Sequence, residues 1–98
     1  MFIRIVKMNF QEDKIDIFLD NFDKIKHQIR NFPGNRFLEL YRDKNNPSVF
    51  FTYSYWEYEQ DLENYRKSDL FCGVWAFTKQ LFKEKAEAWS VDKMASLP

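Results

Sequence analysis

The chain has little of what most enzyme chemistry needs. It holds one cysteine, Cys72, so neither an internal disulfide nor a cysteine-based zinc site can form. It holds one histidine, His27, which leaves every imidazole mechanism to a single side chain. No Ser-His-Asp or Cys-His constellation can be assembled around it, and no metal site is expected. With only 2 glycines and 3 prolines, no flexible linker divides the chain, which reads as one domain over residues 1–98. No apolar run approaches the ~20 residues of a membrane-spanning helix. The start, Met1 to Lys7, alternates rather than forming the apolar centre of a signal peptide. A cytoplasmic setting with no membrane partner is the expectation. Fifteen basic and fifteen acidic residues cancel, and clustered cations of the kind that grip a phosphate backbone are missing, so no nucleic-acid partner is expected. The most basic stretch, Lys79 to Lys85, is diluted by Gln80, Leu81, Phe82 and Glu84, and reads as a solvated helix end.

What the chain has is rings. Eleven Phe, 5 Tyr and 3 Trp make 19% of it aromatic. A domain of this size buries only roughly 60–65% of the surface its unfolded chain exposes. A ring-lined cavity or a second subunit should take up the excess.

The spacing predicts the elements in turn. From Phe2 to Phe10 the side chains alternate, with Phe2, Val6, Met8 and Phe10 on one side and Ile3, Ile5, Lys7 and Asn9 on the other. That is a strand with two partly apolar faces. From Gln11 to Arg30 the period becomes helical, through Ile15, Phe18, Leu19, Phe22, Ile25 and Ile29, and Pro33-Gly34 ends the run. Asn35 to Asp43 and Ser48 to Glu57 are alternating segments joined by Lys44-Asn45-Asn46-Pro47, a hairpin signature. Tyr58 to Lys67 reads as a short helix. Ser68 is placed to cap the next, Leu70 to Phe82, and Ala86 to Lys93 is a final strand. The order β-α-β-β-α-β, with the second helix split, is the α+β ferredoxin-like pattern: an antiparallel four-stranded sheet with helices on one face. The other face should be polar if it met water. Yet Phe50-Phe51-Thr52-Tyr53-Ser54-Tyr55-Trp56 carries rings on both parities, so a second copy of the sheet is the expected cover and the protein a homodimer.

The run Phe50 to Glu57, then Leu62-Glu63-Asn64-Tyr65-Arg66, Ser68-Asp69-Leu70-Phe71 and the closing Glu87-Ala88-Trp89-Ser90-Val91 resembles the antibiotic biosynthesis monooxygenase family. The resemblance extends from Arg4 to Val91. It implies a dimeric α/β barrel with a pocket between sheet and helices in each subunit. It also implies oxidation of a small phenolic or quinol-type aromatic by O₂ without metal, flavin or other cofactor. The same fold serves non-catalytic binding of a small apolar ligand, which is the alternative, and a third reading is a structural dimer whose own rings fill the pocket.

The pocket candidates are Trp56, Tyr65, Phe71, Trp75, Phe82 and Asn9. Trp56 matches the family's strand-end Trp and is either a pocket wall or a large core ring. Tyr65 matches the Tyr of the helical motif and either binds a substrate oxygen or sits with its hydroxyl wet. Phe71, Trp75 and Phe82 fall within about 40° of one another at 100° per residue on the last helix, as cavity wall or plain core. Trp75 matches the position where haem-degrading relatives carry a ligand histidine, and Trp cannot ligate iron. Asn9 is the first-strand polar group comparable to that branch's Asn. His27 lies about 160° from Ile29 on its helix and is expected in solvent, while Cys72 lies off the apolar stripe. Arg4, Glu39 and Arg42 read as rim or interface charges. Glu39 shares a face with Phe37 and Tyr41, where a carboxylate of raised pKa could act as base, with Lys7 placed to neutralise it. No catalytic residue is assigned.

Overall fold

A computed structural model describes all 98 residues. The elements are β1 (Phe2–Phe10), a single 3-10 turn (Glu12–Lys14), α1 (Ile15–Arg30), β2 (Asn35–Arg42), β3 (Val49–Trp56), α2 (Glu59–Arg66), α3 (Asp69–Thr78), a second 3-10 turn (Lys79–Leu81) and β4 (Phe82–Val91). The sheet is antiparallel, in the order β2-β3-β1-β4, as the ferredoxin-like pattern predicts.

Register sorts the side chains onto two faces. Arg4 pairs with Ser54 and Ser90, Val6 with Thr52 and Ala88, and Met8 with Phe50. These residues form the helix-covered face. The opposite face carries Ile3, Ile5 and Lys7 beside Tyr55, Tyr53 and Phe51, which in turn oppose Phe37, Glu39 and Tyr41. No helix covers it. Phe37, Tyr41 and Trp89 are each more than a third exposed there.

The covered side is packed solidly at one end. Met8, Phe10, Phe18, Phe50 and Leu81 form the buried cluster. Phe10 is fully enclosed, stacked on Phe18 with ring centroids 4.2 Å apart and edge-on to Phe50 at 5.7 Å. Such offset and edge contacts add to the area each ring buries.

Two local devices position the helices. Gly34 turns the chain at φ +89°, a conformation that disfavours any residue with a Cβ. Its carbonyl accepts from the Glu57 amide at 2.9 Å, and the side of Gly34 is closed by the Asp61 side chain. Asp61 in turn accepts from the Tyr58 amide at 3.2 Å, at the start of α2. Ser68 caps α3, its Oγ accepting from the Phe71 amide at 3.1 Å, as its sequence position predicts.

The split second helix ends sooner than its periodicity predicts. α3 stops at Thr78, whose hydroxyl donates back to the Val74 carbonyl at 2.7 Å. One 3-10 turn then delivers the chain to β4 at Phe82. Phe82 is therefore a strand residue, paired with Phe10, and Lys83 and Lys85 belong to β4 rather than to a helix end. The register of β4 shifts on both sides of Asn9. These bulges, which insert extra residues on one strand, keep both Ala86 and Phe82 against the core.

Candidate functional site

Away from the packed end, sheet and helices enclose a cavity of about 410 Å³. Its floor is strand: Arg4, Val6 and Met8 from β1, Thr52, Ser54 and Trp56 from β3, with Leu38 and Ala88 from the flanking strands. Each points to the same side because residues two apart share a face. Its roof comes from three helices. α1 contributes Phe18, Phe22 and Ile29, which fall within about 40° of one another at 100° per residue. α2 contributes Tyr65 and Arg66, and α3 contributes Phe71, Val74, Trp75 and Thr78.

A file of touching rings runs along one wall. Trp56 meets Tyr65 at 5.2 Å between centroids, Tyr65 meets Phe71 edge-on at 5.1 Å, and Phe71 stacks on Trp75 at 5.7 Å with planes 11° apart. Trp75 then meets Phe82 edge-on at 5.6 Å. Trp56 is 1% exposed, and its indole N–H donates to Ser54 Oγ at 2.9 Å, which satisfies the one polar atom this ring buries. Trp56 is thus at once a core ring and a cavity wall. Phe32 closes the same corner, edge-on to Tyr65 at 5.2 Å.

Few polar groups face this space, and they are specific in kind. Burial alone pushes the Tyr65 phenol up to about 12, because a phenolate there would lose its hydration. Tyr65 therefore stays protonated and is a hydrogen-bond donor, not a base, at neutral pH. Arg4 rises from the floor, its Nη1 donating to Ser90 Oγ at 3.1 Å. Burial and then the nearby Arg66 charge lower the Arg4 pKa, and Glu63 opposes them. No carboxylate or imidazole lines the cavity, and no three His, Cys, Asp or Glu side chains converge anywhere in the chain.

The antibiotic biosynthesis monooxygenase family model matches residues 1–72, which includes the strand-end Trp56, the Tyr65-Arg66 pair and Phe71. The chain belongs to the antibiotic biosynthesis monooxygenase family. A solved structure named for that family superposes with a TM-score of 0.90 at 17% identity, covering 97% of this chain and all of the other. A conserved protein from Methanosarcina mazei Go1 gives 0.88 at 19% identity over 95% of this chain and 93% of its own. A protein from Nitrosomonas europaea named for the same family gives 0.88 at 16% identity, over 97% of this chain and 100% of its own. At such identities these likenesses speak for the fold. No curated protein matches the chain.

Within this family member, the residues singled out from sequence divide by place. Trp56, Tyr65, Phe71 and Trp75 line the cavity together. Phe82 stands behind Trp75, between it and Phe10, and does not line the space. Asn9 lies elsewhere: strand alternation puts it on the uncovered face, paired with Val49, beside the β4 bulge. Its Oδ1 is enclosed there without a hydrogen-bond partner. Glu39 is on that uncovered face too, accepting from the Tyr41 hydroxyl, so it cannot act as a base in the cavity. His27 and Cys72 are exposed. Arg42 lies over the Phe50 ring at 4.7 Å.

Sequence reasoning missed Arg4, Arg66, Ser54 and Thr52 as cavity residues. The signal for Arg4 was present: it shares the parity of Val6, Met8 and Phe10, a lone cation on an otherwise apolar strand face.

Proposed function

We propose that the cavity binds a small phenolic or quinol-type aromatic and that the protein oxidises it with O₂, as a cofactor-independent monooxygenase. The observation that carries this reading is the apolar, ring-walled space between sheet and helices in a chain of this family. Flat rings stacked along Trp56, Tyr65 and Trp75 suit a flat aromatic substrate. Exclusion of water from such a space strengthens every charge interaction inside it.

The chemistry balances without a further reagent. A substrate that has lost a proton as a phenolate or enolate passes one electron to O₂. The resulting carbon radical and superoxide combine to a peroxide anion, which is protonated and loses water to leave a carbonyl. For a ring CH₂ the sum is CH₂ + O₂ → C=O + H₂O, with all four electrons supplied by the substrate. In this reading Tyr65, protonated at working pH, donates a hydrogen bond to a developing oxyanion.

A homodimer is part of this reading. The uncovered sheet face sets Phe37, Tyr41, Phe51, Tyr53, Tyr55 and Trp89 side by side, far more apolar surface than a solvated sheet presents. Lys7 and Glu39 on the same face have opposite charges that a twofold pairing can set against one another.

A second reading, a binding module without catalysis, is favoured by one observation: no side chain in the cavity can accept a proton at neutral pH. Oxygen uptake with a panel of quinols, anthrones and related phenols separates the two. The monooxygenase reading expects saturable uptake, reduced roughly tenfold or more in Trp75→Ala by loss of substrate positioning. Saturable ligand binding with no uptake above the uncatalysed rate would support the binding module instead.

A further inference from the structure

The only charged side chains that line the cavity are two cations, Arg4 and Arg66. Arg66 is partly compensated. Its Nη1 lies 3.3 Å from Glu63 Oε1, although Glu63 also faces Lys67 at 3.8 Å. Arg4 has no such partner: it enters none of the chain's ion pairs, and its one side-chain hydrogen bond is to the neutral Ser90 hydroxyl. It is also partly buried, on a strand, between apolar neighbours.

A partly buried guanidinium beside a second guanidinium is an unfavourable arrangement for the empty protein. Burial and then Arg66 act to lower its pKa, the direction that disfavours its charge, and Glu63 offsets them only in part. An anion placed between the two cations would relieve that. The register supplies a further donor at the same spot. Ser54 is the cross-strand neighbour of Arg4. Its Oγ accepts from Trp56 Nε1, which leaves the hydroxyl proton to donate.

We propose that the cavity takes its ligand as an anion, a flat aromatic body among Trp56, Tyr65 and Trp75 with an oxyanion held by Arg4, Arg66 and Ser54. The oxyanion is a ring carboxylate, whose two oxygens suit pairing with guanidinium groups. The inference rests on the cavity being the ligand site, as in the reading above, and is independent of oxygen chemistry.

The test is calorimetric binding of naphthoate and of its methyl ester, a charged and a neutral probe of the same ring system. Wild type should bind naphthoate more tightly than the ester, and added salt should weaken naphthoate alone. Arg4→Met keeps a side chain of similar reach. It should weaken naphthoate roughly tenfold to a hundredfold, the effect of a charge-assisted hydrogen bond, and leave the ester unchanged. Arg4→Lys should fall between. Arg42→Met, a substitution of a strand-end arginine outside the cavity, should behave as wild type and controls for a general loss of positive charge. A naphthoate affinity equal to that of the ester, or undiminished in Arg4→Met of wild-type melting temperature, would overturn the proposal. So would the absence of naphthoate binding. Naphthoate selectivity lost with Arg4, in a protein that consumes no O₂ with any substrate, would leave this inference standing and remove the monooxygenase reading.

Discussion

Burial pushes the Tyr65 phenol up to about 12, and this single side chain shows how the cavity sets chemistry. Below about pH 10, the ordinary tyrosine range, Tyr65 is neutral in both folded and unfolded chains. Between there and about 12 the unfolded chain ionises while the folded one does not, so the unfolded state gives up the proton first. Stability is therefore fully present below the unfolded pKa and is lost as pH rises through that window. Ultraviolet titration of wild type against Tyr65→Phe should assign one late phenolate to Tyr65, and denaturant melts should show the variant losing less stability over the same range. A Tyr65 that titrates with the ordinary tyrosines would contradict its enclosure. At this scale the rings are legible in the sequence, and of the cavity's two charges only Arg4 carries a signal, its strand parity. Trp56, Tyr65, Phe71 and Trp75 are recognisable because aromatic residues at strand and helix spacing must face the interior. Asn9 and Arg4 lie on the same strand, β1, with opposite parity. Their faces follow from parity: Arg4 points under the helices and Asn9 to the other side, where likeness to the family's Asn does not lead.

The elements were legible wherever the period was strong. β1, the hairpin and the Ser68 cap follow from alternation, turn residues and an orphan-amide partner. The end of α3 did not. The apolar spacing continues through Leu81 and Phe82, so periodicity alone cannot see the switch to a 3-10 turn after Thr78. What decides it is tertiary: Phe82 has an opposite number in Phe10 on β1, and pairing there outweighs another helical turn. The Pro33-Gly34 turn is the clearest element-scale test. Gly34→Ala meets both a positive φ and the Asp61 side chain, and should destabilise the fold by about 1–3 kcal/mol in a denaturant melt. An unchanged midpoint would mean that the turn relaxes freely and does not fix the start of α2.

For the whole molecule the governing feature is that one sheet has two unlike apolar faces. The helix-covered face is divided between a solid cluster around Phe10 and Phe18 and the open cavity. Sequence patterning gives the apolar face but not that division, because whether rings fill a space or wall it depends on helix placement. The bare face is legible as a run of rings on the second parity of β3, and the expectation of a partner follows from hydrophobic exposure. Sedimentation of wild type should give a dimer of the 12.0 kDa chain at micromolar concentration. Tyr53→Lys, a charge placed at the centre of that face beside Ile5 and Glu39, should shift it towards monomer while the sheet stays folded. A monomeric wild type would show that this face tolerates water and would remove the dimer from the account.

The central claim is that the cavity oxygenates an aromatic substrate. The most direct measurement is turnover under isotopically labelled O₂, with mass analysis of the product from the substrate that gives the fastest uptake. Monooxygenation puts one labelled oxygen atom in each product molecule and the other in water, and the amount of labelled product should fall in step with the rate in Trp75→Ala. Product oxygen drawn from unlabelled water, or substrate recovered unchanged while bound, would contradict it.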